Sequence, residues 1–524
     1  MSLKAVTIAI LDILLSKKQY LSLKEISLSL TKFNITDRQI LNEITALMKT
    51  NRLVKDGIRQ NSLYAASTPQ KAHQNSRFIY VFKNRILAGM LFEIPDGFLF
   101  YYTNDYLVSG LEAVPTMPLS IQPFSFNTIP PFFDQNIPEG INLEILKFQL
   151  NSSDALHILA SLSDPIGDIS FSFSPKTAQS QISNPSYLSN LEKILSDNPK
   201  INILKDFYVD IPNEILFPEN YDLSKLELAQ NDGISGFQYK KLVNIDFERK
   251  IIHQDAASNY ILKPYSKIRS NPTSQSYFPH IAINEHLHLS FAKNTLKIRV
   301  PWSAVVAGDD EYHYVIKRFD KLENHHYNVV EFASYLGLTS INKYDTTSEK
   351  LFKRISKELL SDTEKKELLK IYVYSVIIKY EDLHAKNLSL ITSGDIVLMA
   401  PMYDVMSTGF YSTAKGFESY LPINGKRQNI RLNDFKPLCK ILNVDFKEFK
   451  QIAFSIANSY KDEFSSYIDL IKPLNLKFYK QKLVKRVGDE SFLVPSDKYE
   501  NLSTLLEQFH TKRVEELKFL GWIQ

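Results

Sequence analysis

The sequence has one cysteine, Cys439, in 524 residues, which excludes an intramolecular disulfide framework and a zinc module built on cysteine pairs. Glycine is scarce at 16 residues, and the phosphate-cradling pattern G-x-x-x-x-G-K-[ST] is absent. Long hydrophobic runs are missing as well. The nearest to one, Ala5 to Leu15 (AVTIAILDILL), is interrupted by Asp12 and falls short of the roughly 18–20 apolar residues a membrane span needs. Lys17 and Lys18 follow that run instead of preceding it, and no small-residue cleavage site comes next, so it does not read as a secretory signal. A cytoplasmic protein without membrane contact is expected. No internal repeat is visible. What is present is ordinary for a globular protein, 44% hydrophobic and 23% charged, with many Phe (33) and Tyr (28). The length suggests three or four folding units.

The net charge of +4 is unevenly placed. From Met1 to Asn75 eleven Lys/Arg face five acids, a charge of +6, so the rest of the chain carries −2. Within this basic segment Val6, Ile10, Ile13 and Leu14 recur at helical spacing, and Ser22 can cap a second helix with Leu23, Ile26 and Leu30 on its apolar side. Thr36 and Asp37 open a third helix bearing Ile40, Leu41, Ile44, Leu47 and Met48. Leu53-Val54, the turn Asp56-Gly57 and Ser62-Leu63-Tyr64 read as a hairpin. Three helices and a hairpin are the layout of a winged helix-turn-helix over residues 1–68. Arg38, Gln39, Asn42 and Lys49 on the third helix, with Arg52, Lys55 and Arg59 at the wing, are the candidate DNA contacts. The polar stretch 69–77 reads as a linker.

Beyond it, 78–324 is rich in strand signals (Phe78–Phe82, Ala88–Phe92, Gly97–Tyr102, Lys241–Ile245, Tyr260–Lys263, Ile298–Val300, Tyr314–Ile316), with a Ser/Asn/Pro-rich connector at about 172–231. From Tyr327 long helical patterns take over, and 325–524 is expected to be a helical lobe. The fold class is thus α+β.

The stretch Tyr380 to Asp404 carries the chemistry. A helix, Leu368–Ile378, ends before Asp382, and Asn387 follows in D-x-x-x-x-N spacing. A hairpin, Leu388–Ile391 and Ile396–Met399, then delivers Asp404. A hairpin brings its ends together, so Asn387 and Asp404 can converge on one Mg²⁺ while Asp382 stays available as a base. This is the arrangement phosphoryl transfer from ATP requires. Upstream, Lys263 on a strand is the candidate phosphate-pairing cation, Glu285 the carboxylate that holds it, and Val315–Phe319, including Lys317 and Phe319, the edge that meets the nucleotide.

These residues resemble the HipA family of toxin kinases. The resemblance rests on Ile234-Ser235-Gly236-Phe237-Gln238-Tyr239-Lys240, Tyr260–Pro264, Lys317-Arg318-Phe319-Asp320, Asp382-x-His384-Ala385-Lys386-Asn387 and Pro401-x-Tyr403-Asp404. Leu421 to Lys426 and Pro131-Phe132-Phe133-x5-Pro138-Glu139-Gly140 add to it. The basic N-terminal segment makes the chain similar to the stand-alone, HipH-like members. The resemblance implies a two-lobed, protein-kinase-like fold with a strand-rich N-lobe and a serine/threonine kinase using ATP and Mg²⁺. Asp382 would be its base, Asn387 and Asp404 the metal ligands, and Lys263, Ser235 and Gly236 would lie at ATP, with Ser235 self-phosphorylated. It also implies an antitoxin and a protein substrate such as an aminoacyl-tRNA synthetase. A homodimer would suit palindromic DNA. Tyr380 and Leu383 depart from the pattern on what reads as the acceptor side. They support the alternative of a DNA-binding regulator whose kinase-like half is inactive or only senses nucleotide. His286 and His288, two apart on a helix with no third ligand, do not read as a zinc site. His384 reads as a brace of its loop and Cys439 as a small core residue.

Overall fold

The computed structural model describes residues 4–58, 61–175, 191, 210–212, 215–216, 238–254, 258–266, 270–274, 277–308, 311–322, 325–411, 414–485 and 491–523. At the N-terminus, helices Ala5–Lys17, Leu23–Ser29 and Asp37–Lys49 pack on a three-stranded antiparallel sheet. Both capping signals of the sequence form. Ser22 and Glu25, and Thr36 and Gln39, make reciprocal capping boxes that satisfy the first amide donors of their helices. The expected hairpin, Leu53–Asp56 with Leu63–Ala66, gains a third strand, since Leu21-Ser22 pairs with Leu63-Tyr64.

This unit is not strung on a linker. Its core residues Ile10, Leu14, Ile40, Ile44 and Leu47 belong to one continuous cluster with Tyr106, Leu107, Val114 and Met117 of the following region. Residues 69–73, expected to be linker, form a 3-10 turn whose His73 ring packs 5.0 Å from Phe92 and 5.6 Å from Tyr101.

Among the described residues, the expected N-lobe at 78–324 is built on two five-stranded sheets with helices between their strands. The first is antiparallel, in the order Phe124–Phe126, Gly97–Tyr102, Ile86–Ile94, Phe78–Lys83, Ile169–Ser172. Gly89 is required in its central strand, Ile86–Ile94, because a Cβ there would sit 2.3 Å from the Tyr101 carbonyl oxygen. The second sheet runs Ile251–His253, Lys241–Asp246, Tyr260–Lys263, Tyr312–Lys317, Ser303–Ala307. The strand expected at Ile298–Val300 lies instead at Ser303–Ala307, after Pro301, which cannot donate to a ladder. Most of the expected connector lies outside the described residues.

Helix Ile281–Asn294 lies in the chain between strands Tyr260–Lys263 and Ser303–Ala307 of the second sheet and is welded to the helical lobe. Phe291 packs 5.1 Å from Phe464 and 5.2 Å from Tyr467, and the Tyr374 hydroxyl donates to the His288 carbonyl at 2.9 Å. The helical lobe comprises Ser348–Ile355, Asp362–Ile377, Lys436–Leu442, Phe446–Ile471 and Leu502–Leu520. A small sheet of Asn328–Glu331, Ser389–Ser393 and Ile396–Met399 lies against it, so the predicted hairpin has an extra strand. The lobe is not wholly helical. Lys477–Lys485 and Ser491–Asn501 form a long antiparallel hairpin, where Pro473 and Pro495 punctuate an alternating K-F-Y-K-Q-K pattern. Among the described residues no helix is long and apolar enough to cross a membrane.

Candidate active site

Lys263 ends a central strand of the second sheet, and pairing with Tyr314 on one neighbour fixes which way its side chain points. Its ammonium is buried. It donates to both oxygens of Glu285, each at 2.8 Å, and to Oδ1 of Asp404. Glu285 sits one turn into helix Ile281–Asn294 and is 1% exposed. Asp404 adopts the left-handed conformation, φ 57°, and the buried Tyr380 hydroxyl donates to its carbonyl oxygen at 2.5 Å, bracing this uncommon backbone. Burial alone would raise the Asp404 carboxyl, but the ammonium groups of Lys263 and Lys240 outweigh it and hold the group well below the usual carboxylate range. Glu285 goes the other way. Burial pushes it up to about 7, although Lys263 opposes the shift. The triad is therefore a charged Lys263–Asp404 pair supported by a carboxyl at the edge of titration.

The loop after helix Asp362–Ile377 carries Asp382 at the surface and Asn387 beneath it. Asn387 is fixed by reciprocal bonds with His384: its N–H donates to the His384 carbonyl at 3.0 Å, and its Oδ1 accepts from the His384 N–H at 3.1 Å. His384 accepts the Lys386 N–H at Nδ1, 3.2 Å, and burial pushes its pKa down to about 3, so it is a neutral brace. Lys386 is held by Glu139 at 2.7 Å and by the Ser340 hydroxyl at 3.1 Å. Glu139 also pairs with Lys343 at 2.8 Å, and these two cations overcome burial to bring it down to about 2. Two motifs far apart in sequence, Pro138-Glu139-Gly140 and His384-Ala385-Lys386-Asn387, thus meet in one ion-pair network. Glu381 accepts the backbone N–H groups of Lys415 (2.9 Å) and Phe417 (2.8 Å), fixing the segment that follows Asp404.

A cleft of about 590 Å³ is lined by Asp382, Asn387, Asp404, Lys240, Lys343, Tyr344 and Tyr420, among others. It adjoins a smaller cavity of about 110 Å³, whose walls include Ile261, Ile316, Val329, Lys317 and Phe319. Lys240, Glu331, Tyr403 and Asp404 line both. The structure therefore brings Lys263, Glu285, Lys317, Phe319, Asp382, Asn387 and Asp404 around one two-part cavity, apolar at one end and charged at the other. Arg318 is turned away into a buried network with Asp164 at 2.8 Å and Asp320 at 2.6 Å, which fixes the backbone beside the apolar end. Ser235 and Gly236 lie outside the described residues. Asn387 and Asp404 offer an amide and a carboxylate oxygen, hard donors that fit Mg²⁺, and Asp404 stays anionic. Among the described residues no group of three His, Cys, Asp or Glu could hold a metal ion. His286 and His288 are buried, bonded to Ser303 and to the Asn284 carbonyl, and kept neutral by burial.

Several site residues escape sequence reasoning. Lys240, Glu139, Glu331 and Tyr344 reach the cleft from four separate segments. Glu139 and Lys240 stand in motifs that carry the resemblance, yet nothing local gives either a role, and Glu331 and Tyr344 stand in none. Leu383 is corrected too: it is 1% exposed in the core and does not face the cleft, because the loop turns it inward. Tyr380, also read as an acceptor-side change, does line the cleft with Asp382, and its hydroxyl reaches the Asp404 carbonyl from there.

On the N-terminal unit Arg38, Asn42, Lys49 and Lys55 are exposed. Gln39 is exposed, but its Oε1 is committed to the Thr36 cap. Arg59 lies outside the described residues. Arg52 is not a surface contact. It is 0% exposed, and its guanidinium donates to the carbonyls of Ile121 and Tyr102 and to Asn104 Oδ1 at 2.8–3.0 Å.

The HipA N-terminal domain family matches residues 79–172, and the HipA-like C-terminal domain family matches residues 233–469. Among solved structures, the chain is similar to one from the Shewanella oneidensis MR-1 toxin–antitoxin complex of HipA, HipB and operator DNA. The identity is 16% and the TM-score 0.55, with 84% of this chain and 97% of that one covered. A Helicobacter pylori proinflammatory kinase, CtkA, aligns over 54% of this chain and 94% of its own at 14% identity, with a TM-score of 0.33. No curated protein matches. The chain has a mixed α+β, HipA-like fold.

Proposed function

From a chain that carries both HipA-family domains, we propose a serine/threonine protein kinase of the HipA toxin type, fused to a winged-helix DNA-binding unit. The observation that carries the reading is the convergence of the Lys263–Glu285–Asp404 cluster with Asp382 and Asn387 on one two-part cavity, whose halves share Asp404. In this reading the acceptor hydroxyl oxygen attacks the γ-phosphorus of ATP and Asp382 takes its proton. The bond to the β,γ-bridging oxygen breaks, and ADP leaves. Lys263, held by Glu285, meets the phosphate charge. A Mg²⁺ held by Asn387 and Asp404 would neutralise phosphate oxygens. Ile261, Ile316, Val329 and Phe319 offer an apolar seat for the base. Self-phosphorylation at Ser235 and a substrate such as an aminoacyl-tRNA synthetase follow from the family resemblance. The departures at Tyr380 and Leu383 weigh little for the inactive-regulator alternative, since one braces Asp404 and the other is core.

Incubating the full chain with Mg²⁺ and γ-labelled ATP, alone and with cell lysate, tests the reading. Label on the chain or on a lysate protein should fall by about a thousandfold in Asp382→Asn, with the fold intact, since a positioned base and its hydrogen bond act together here. Equal label in that variant would refute the mechanism.

For the N-terminal unit, a helix Asp37–Lys49 with Arg38, Asn42 and Lys49 outward, next to a strand with Lys55 exposed, supports operator binding, with two copies on a palindrome and an antitoxin as partner. Replacing Arg38 and Lys49 together by Ala should flatten the log Kd against log salt slope by about 2, roughly one for each lost phosphate contact. An unchanged slope would remove these residues from the DNA face.

A further inference from the structure

Tyr344 stands where an acceptor would. Its hydroxyl donates to Oδ1 of Asp382 at 2.8 Å, the hydrogen bond that the acceptor hydroxyl must make for Asp382 to take its proton. The ring is held on two sides, by Tyr420 at 4.3 Å and edge-on by His384 at 5.0 Å. Its loop is anchored from below: Ser340 donates to Asp134 through both N–H and hydroxyl at 2.8 Å, and Lys343 pairs with Glu139 at 2.8 Å. Tyr420 belongs to the segment after Asp404, so the phenol is clasped between the catalytic loop and that segment. Burial and the neighbouring Asp382 push the Tyr344 phenol above its ordinary range, which keeps it a protonated donor.

We infer that Tyr344 is a placeholder for the acceptor hydroxyl: it occupies Asp382, keeps water from being activated there, and yields only to an acceptor that displaces it. The inference rests on the reading of Asp382 as the base. It makes Tyr344 a specificity-determining residue that acts through Asp382. Without it, water can take the acceptor position, and ATP is hydrolysed to ADP and phosphate with Asp382 receiving the water proton. With it, hydrolysis is suppressed and transfer waits for a hydroxyl presented by a docked chain. An acceptor competing with an internal ligand also binds with an apparent affinity reduced by the fraction of sites that ligand holds.

The test measures ADP release by the full chain with Mg·ATP and no acceptor, comparing wild type, Tyr344→Phe and the double variant Tyr344→Phe/Asp382→Asn. Removing one hydrogen bond to a carboxylate should raise acceptor-free hydrolysis about tenfold or more, and the gain should vanish in the double variant. The KM for a phosphorylated lysate protein should fall in Tyr344→Phe. A merely structural role would lower hydrolysis and transfer together. Should the Phe variant fail to fold, Tyr344→Leu removes the same hydroxyl and carries the same expectation. Unchanged or reduced hydrolysis beside normal wild-type transfer overturns the inference alone. Neither transfer nor hydrolysis in any form, with nucleotide bound, overturns the kinase reading and the inference with it.

Discussion

Lys263→Met should lower phosphoryl transfer by about 10²–10³, the range seen when one preorganised charge stabiliser is removed from a buried site. The same substitution should destabilise the fold by about 3–5 kcal/mol, because it leaves buried carboxyl groups without their cation. Glu285, 1% exposed, and Asp404 then face each other across the space the ammonium bridged. The two losses can be separated. Adding Glu285→Gln removes one of the orphaned carboxylates, so Lys263→Met/Glu285→Gln should recover about half or more of the stability while transfer stays low. Chemical denaturation of wild type, Lys263→Met and Lys263→Met/Glu285→Gln, alongside labelled-phosphate transfer, checks both. If the double variant regained transfer, Lys263 would be a structural cation only. If Lys263→Met kept its stability, the pair would be more solvated than its burial indicates.

That pair also shows what a linear reading can reach. Lys263, Glu285, Asp382, Asn387 and Asp404 are legible because each is announced locally: a lysine on an apolar strand, a carboxylate early in a helix, a D-x4-N spacing, an acid closing a hairpin. The hairpin is antiparallel and local, so sequence distance and spatial distance agree there. Contacts between remote segments have no such marker. Glu139 and Lys343 are 204 positions apart, and no periodicity predicts that they share an ion pair. Tyr344 sits in an irregular loop, where the alternation that orients strand residues is absent. Tyr380 and Leu383 read as surface changes because they flank an exposed aspartate. The backbone reverses within that turn, carrying one against Asp404 and the other into the core. The pair of strands Lys477–Lys485 and Ser491–Asn501 reads as helix in the sequence because Lys- and Tyr-rich segments satisfy both patterns, and its register is set by pairing that no local pattern announces.

The sharpest disagreement between charge counting and structure is Arg52, and it yields a separable prediction. Within a segment of +6, an arginine beside a turn is expected at a phosphate. Here it is 0% exposed and crosses from the N-terminal unit into the first sheet region, where Tyr102, Asn104 and Ile121 take its hydrogen bonds. Burial lowers its pKa to about 10, so it remains charged at neutral pH. Arg52→Ala would leave several buried acceptors unsatisfied at about 1–3 kcal/mol each, so a total destabilisation of about 3–5 kcal/mol is expected. The N-terminal unit and the first sheet share one apolar cluster, so unfolding should stay a single transition at lower denaturant and not shed the N-terminal unit first. A phosphate contact would behave oppositely, flattening the salt slope of DNA binding by about one and leaving stability unchanged. The shared core has a practical consequence for any deletion of residues 1–70. It would uncover Tyr106, Leu107, Val114 and Met117, so loss of nucleotide binding in such a truncation would report an exposed core and not communication from DNA.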